Sequence, residues 1–215
     1  MTTKSVSLCA RFYIVMFLWL GISGLSHADE CYEGVFLGMA ISKDTGAELD
    51  AKIAAQGGSA NTKLSDTSRL GWKVVAGCYF FDYAGLELSY VNLGNVKMSV
   101  EGTVSDINVL INDIRTTTPA TANGFSFALV GRHSLRPNLR LIGRLGVFDW
   151  QSDIEVKVAS TRLSARDNGV GISYGAGLEL GSDEESSFNF RFVWDRYSVG
   201  AGTIDFVSGG LVYRL

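Results

Sequence analysis

The sequence predicts an all-β protein: an eight-stranded antiparallel up-and-down transmembrane β-barrel with short periplasmic turns and long extracellular loops. Three observations lead there. Large apolar residues alternate with small or charged ones at period two along most of the chain. The connections between these segments are alternately short and long. The large side chains also crowd one face too densely to fit inside a barrel whose interior is only wide enough for side chains to fill. Composition agrees, with 25 glycines in 215 residues, about 12% against a usual ~7%.

Met1 to Arg11 carries Lys4 and Arg11 and no acid, Phe12 to Ile22 is apolar, and Ser26-His27-Ala28 is a small-x-small site. This is the three-part pattern of a secretory signal peptide over residues 1–28, leaving 29–215 as the barrel domain. The apolar run would reach about 16 Å as a helix, short of a ~30 Å bilayer core. Without Lys4 and Arg11, 17 basic residues of the original 19 face 22 acidic ones. A mildly acidic chain with no basic block argues against nucleic-acid binding. Cys9 leaves with the signal, so Cys31 and Cys78 remain, near the same end of neighbouring strands. The oxidising compartment permits a disulfide between them; two isolated thiols are the alternative.

The strands follow in order. Glu33 to Ser42 and Leu70 to Phe81 are the first two; in the second, Trp72, Val74, Ala76, Cys78 and Phe80 alternate with Lys73, Val75, Gly77 and Tyr79. Leu86, Leu88 and Tyr90 then face away from Glu87 and Ser89, and Phe125, Phe127 and Leu129 from Ser126 and Ala128. Leu139 to Val147 sets leucines against Arg140 and Arg144, and Tyr174 to Leu180 sets bulk against glycines and Glu179. Phe188, Phe190, Phe192 and Trp194 alternate with Asn189, Arg191, Val193 and Asp195, and Val207 to Leu215 closes the set. Asp82-Tyr83, Arg136-Pro137-Asn138 and Ser182 to Ser187 are short turns. Lys43 to Arg69, Asn95 to Asn123 and Asp153 to Asn168 are long and polar, the sorting of an outer-membrane barrel. No unbroken apolar stretch beyond the signal is long enough for a spanning helix.

Size decides the faces. The bulky face points to lipid, and Lys73, Glu87, Arg144, Glu179 and Arg191 point into the barrel, since a charge facing lipid at mid-membrane costs about 2–4 kcal/mol. Closure also removes the unpaired edges that hydrocarbon does not tolerate.

These segments resemble the OmpA-like family of eight-stranded outer-membrane barrels, through Glu33 to Gly38, Ala76 to Tyr79, Leu86 to Tyr90, Gly177 to Glu179, Phe190 to Trp194 and Ser208 to Leu215. The resemblance covers essentially the whole mature chain and lacks the peptidoglycan-binding domain of longer members. It implies an interior network of acids and bases, with Glu87, Glu179 and Arg191 at matching positions. The basic residue expected on the first strand is Phe36 here, and Lys73 or Arg144 is left to supply that charge. It also implies an assembly signal in Ser208, Gly210, Tyr213 and Leu215, where Leu215 replaces the usual terminal phenylalanine. Implied partners are outer-membrane lipid and lipopolysaccharide, and the barrel assembly machinery during insertion.

Two readings of the interior charges compete: a gate in a narrow ion path, or a plug of mutually neutralised charges, and the plug is favoured because buried charges persist only when paired. Catalysis is not expected. His133 and Ser134 are adjacent on a strand and so point to opposite faces, a poor base–nucleophile pair. One histidine and two cysteines are too few for a transition-metal site, and no cofactor is expected. Trp72, Trp150, Trp194, Tyr90 and Tyr197 are read as one interfacial belt, and Phe80, Phe81, Tyr83, Phe188 and Tyr213 as the other. Arg196, in outward phase at the outer rim, offers its guanidinium fork to lipid phosphate or reaches into water. The loops, including Thr116 to Pro119, are where a host or matrix ligand would bind. The expected role is therefore structural or surface-interactive in a monomer, with a narrow pore for ions or small solutes as the alternative.

Overall fold

The computed structural model describes residues 30–55, 57–65, 67–95, 97–103, 122–158, 161–181, 187–200 and 202–215. The signal segment and the Thr116 to Pro119 run lie outside them. The strands are β1 (Glu30–Ser42), β2 (Ser59–Ser65), β3 (Ser68–Phe81), β4 (Ala84–Asn92) and β5 (Lys97–Thr103). They continue as β6 (Asn123–Arg136), β7 (Leu139–Val158), β8 (Thr161–Gly181), β9 (Phe188–Val199) and β10 (Gly202–Arg214), and the described residues include the helix α1 (Gly46–Ala55).

Eight of these strands form a ring. Each of β1, β3, β4, β6, β7, β8, β9 and β10 pairs antiparallel with the next, and β10 returns to β1. The register follows Glu30, Tyr79, Gly85, Val130, Arg144, Gly175, Asp195 and Phe206 around the ring and comes back to β1 at Ala40, a displacement of ten residues (40 − 30). With ordinary strand rise and spacing, that shear tilts the strands by about 40°. No helix among the described residues is long and apolar enough to cross a membrane; the strands are what span it.

The period-two alternation holds along the strands and lapses only near the turns that close β3–β4 and β6–β7. On β3 the burial alternates from Arg69, Gly71, Lys73 and Val75 inside to Leu70, Trp72 and Val74 outside. On β6, Ser126, Ala128 and Val130 are buried while Phe125, Phe127 and Leu129 are exposed, Leu129 at 64%. A continuous apolar exterior around a buried interior that holds the ionised residues, together with aromatics such as Phe36 and Phe148 that the size argument did not expect there, is the inverse of a water-soluble barrel.

Three expectations are refined. The long connections stand, and they carry regular secondary structure of their own. Lys43 to Arg69 holds α1, β2 and the start of β3, and β5 lies in Asn95 to Asn123. The described part of Asp153 to Asn168 is a continuation of the β7–β8 pair, whose register runs on to Val158↔Thr161. The cause is legible in Asp153 to Val158, where Ile154, Val156 and Val158 alternate with charges; that is strand chemistry, however polar it looks. Above the ring β5 adds to β7 in parallel and β2 pairs with β5. Helix α1 is preceded by Asp44, whose Oδ1 accepts from the Gly46 amide at 2.9 Å, and followed by Gly57, whose φ of 79° suits glycine.

The second correction concerns the belts. Trp72, Tyr90 and Phe125 follow one another around the outer end, the first pair tilted and the second edge-to-face, with centroids 5.5 and 5.1 Å apart, and Tyr174 meets Trp194 at 6.0 Å. Phe81–Tyr83 and Phe188–Tyr213 lie at the other end. Trp150 and Tyr197, however, are inside the barrel, 6% and 0% exposed. Their strand phase is inward, and phase overrides the preference of aromatics for interfaces. Phe80 is half-buried beside the irregularity between Tyr79 and Phe81.

Third, the fork of Arg196 is already engaged: Nε and Nη2 donate to the two carboxylate oxygens of Asp205 at 2.7 and 2.8 Å, and the Trp194 indole N–H joins Asp205 at 3.1 Å.

Candidate functional site

The lumen of the ring holds the chain's most concentrated chemistry. The strands deliver it because an inward phase on a closed barrel leaves a side chain nowhere else to go. Lys73 (β3), Glu87 (β4), Arg144 (β7), Glu179 (β8) and Arg191 (β9) are all buried in it. The structure brings all five into one connected network and adds a sixth member, Asp195, which sequence reasoning placed in inward phase without including it.

The contacts make a ladder of alternating charge. Lys73 Nζ meets Asp195 Oδ2 at 2.6 Å, and Arg144 contacts the other Asp195 oxygen through Nη1. Arg144 Nη2 lies 2.8 Å from Glu87 Oε1. Glu87 Oε2 accepts from the Tyr32 hydroxyl at 2.8 Å and sits 3.4 Å from Arg191 Nη1. Arg191 then donates through Nε and Nη2 to Glu179 Oε2, at 2.8 and 2.5 Å. Glu179 Oε1 takes Asn189 at 3.0 Å and Arg140 at 3.2 Å, with Arg214 at 3.6 Å. Three buried cations, Lys73, Arg144 and Arg191, thus face three buried carboxylates, Glu87, Glu179 and Asp195, and the middle of the lumen is neutral. Each cation also lies near an aromatic or a second carboxylate: Lys73 is 4.8 Å from the Phe36 ring centroid and Arg191 4.8 Å from that of Tyr32. Phe36 stands opposite Lys73 in the β1–β3 register.

The ladder occupies only part of the axis. Its foot, Arg140 and Arg214, lies beside the periplasmic turns, and its head, Lys73 and Asp195, lies near mid-barrel. Beyond the head the lumen is filled by a buried cluster that includes Val91, Phe148, Trp150, Tyr197, Ile204 and Phe206. Glycines let the large residues in: the Trp150 ring lies where a Cβ on Gly169 would sit, its Cζ2 2.9 Å away, and a Cβ on Gly175 would strike Asp195.

The remaining residues of interest are at the rim. Cys31 and Cys78 are joined in a disulfide between directly opposed positions of β1 and β3. Of the C-terminal positions that the resemblance singles out, Ser208 and Gly210 face the lumen, and Tyr213 faces out beside Phe188. Leu215 is exposed, its amide donating to the Cys31 carbonyl at 2.9 Å. His133 and Ser134 are both exposed near the Pro137-Asn138 turn.

A closed ring with a greasy exterior and an ion-paired lumen defines a class, the bacterial outer-membrane β-barrel. The model of the OmpA-like transmembrane domain matches residues 26–214, and the chain belongs to that family. Compared by sequence with curated proteins it has no match. Among solved structures it is similar to the N-terminal β-barrel domain of Pseudomonas aeruginosa OprF, with TM-score 0.49 and 13% identity over 87% of this chain and 99% of that one. It is similar to OprG of the same organism, with TM-score 0.49 and 12% identity over 88% and 97%. Ail of Yersinia pestis, solved with the heparin analogue sucrose octasulfate, gives TM-score 0.46 and 13% identity over 86% and 99%.

Proposed function

We propose that this outer-membrane barrel is a non-conducting, non-enzymatic scaffold that contributes to envelope integrity and presents its outer segments to a host or matrix ligand. The observation that supports this most is the filling of the lumen. A water-filled path needs polar walls throughout, and here the charged ladder ends beneath a packed apolar cluster. The charges are also committed to one another, which makes them a plug rather than a selectivity device. The strands standing above the ring give the outer surface a rigid platform, the usual setting for recognition by loops.

The narrow-pore alternative is tested by planar-bilayer recording of the purified barrel. The scaffold reading expects silence; discrete, stable openings altered by Arg191→Ala would replace it with the pore. Surface interaction is tested by trimming Ala47 to Thr62, which holds α1 and the start of β2. Adhesion of cells bearing the trimmed chain to host cells or matrix is expected to fall while the barrel still folds. Unchanged adhesion would leave envelope integrity as the whole of the role.

A further inference from the structure

The β1–β3 pair is one of two joints of this barrel that a long connection leaves weakly specified; the other is β4–β6, joined through Leu93 to Ala122. Turns of two residues, Asp82-Tyr83 and Pro137-Asn138, close β3–β4 and β6–β7 and fix their registers. The connection from β1 to β3 is instead the 25 residues from Lys43 to Thr67, with a helix and a strand of their own, and it imposes no register. Nor does the alternation. A slip of one residue would turn every side chain to the wrong face, but a slip of two restores bulk outside and small residues inside. Such a slip would change the ten-residue shear on which all the lumen contacts depend.

The disulfide sits at the end of this pair farthest from that connection, on directly opposed residues. The same corner of β1 holds the closing seam: Leu215 N donates to the Cys31 carbonyl, and Glu30 pairs with Arg214 of β10 at 3.0 Å and with Arg132 of β6 at 2.6 Å. Both cysteines are in outward phase. Cys78 lies opposite Leu86 and between Ala76 and Phe80, with Phe81 and Tyr83 nearer the periplasm. In the inserted barrel the pair lies at the periplasmic edge of the outer face, where the exposed Glu33 shares its phase one outward position farther along β1.

We propose that Cys31 and Cys78 are oxidised before insertion, and that the bond fixes the β1–β3 register ahead of closure of the β1–β10 seam. The unfolded exported chain is then a substrate for a disulfide-bearing oxidant of the periplasm. Two thiols lose two protons and two electrons to form one S–S bond, while the oxidant's disulfide is reduced to a dithiol.

The test uses the full mature chain, refolded from urea into phosphatidylcholine vesicles. In a Cys31→Ser/Cys78→Ser background, new cysteine pairs report register: Val35→Cys/Val74→Cys in the native alignment, and Val35→Cys/Ala76→Cys in the two-residue slip. Oxidised after folding with molecular iodine, which partitions into the bilayer and takes two electrons from each thiol pair, both pairs are expected to cross-link, showing mixed registers. Forming the Val35–Val74 bond in the unfolded chain instead should restore the folding yield and rate of the oxidised parent. Cross-linking of the native pair alone, with parental folding, would mean that contacts such as Tyr32 against Gly77 set the register unaided, and would overturn the proposal. So would rapid oxidation of the inserted, reduced parent by a soluble disulfide.

Discussion

Replacing Arg191 with alanine is expected to cost about 3–5 kcal/mol of barrel stability, the penalty for breaking a buried ion pair from one side. Arg191 is 2% exposed and stands between Glu87 and Glu179. Its loss leaves Glu179 dependent on Arg140 and Arg214, at 3.2 and 3.6 Å. Glu87 keeps Arg144 and the Tyr32 hydroxyl, so the damage concentrates on Glu179. The measurement is the urea midpoint of the refolded barrel in lipid, followed by heat-modifiable migration. Arg191→Met combined with Glu179→Gln should recover much of the loss, because removing both charges also removes the burial penalty that made one alone intolerable. An alanine variant with the parental midpoint would mean that water reaches the lumen and the plug account is wrong.

The second large effect is at the seam. Gly210 faces Phe36 across β1 and β10, and a Cβ there would strike the Val35 carbonyl and lie 2.6 Å from the Phe36 ring. Gly210→Ala is expected to cost about 1–3 kcal/mol or more by overpacking. Much of this should vanish in a Phe36→Ala background, a coupling that a double-mutant cycle measures. The clash with the Val35 carbonyl persists, so recovery is partial. Refolding of the pure chain in detergent separates this from a recognition role. If Gly210 serves only the assembly machinery, Gly210→Ala will refold in detergent like the parent; if it is a socket for Phe36, refolding will fail or slow without any machinery present.

The face of most residues in the ring was legible because period two survives translation into structure along the strands, breaking only beside the irregularities at Tyr79/Phe81 and Ser134/Arg136. What misled was composition taken over phase. Trp150 and Tyr197 were assigned to the lipid interface for being aromatic, although counting in twos from Leu145 and Phe192 sends both inward. Ile154, Val156 and Val158 were passed over because the residues between them are charged. Asp195 was legible as an inward residue, two beyond Val193, but not as the anchor for both Lys73 and Arg144. Those partners are 122 and 51 positions away in sequence, and only the shear of the closed ring decides which inward residues meet. Alternation tells inside from outside; it does not tell who faces whom.

The central claim is that the bulky face is bathed in acyl chains while the ionised lining is sealed from them. Nitroxide labels on single introduced cysteines test it directly, at Leu129 and Phe190 on the outer face and at Ser126 and Ala128 on the inner one, with the Cys31–Cys78 bond left intact. Oxygen, which dissolves in the bilayer, is expected to relax the outer pair strongly and the inner pair weakly, and a water-soluble nickel chelate should reach neither face well. Strong relaxation of Leu129 and Phe190 by the chelate, with the inner pair seen by oxygen instead, would show the barrel inside out and contradict the account.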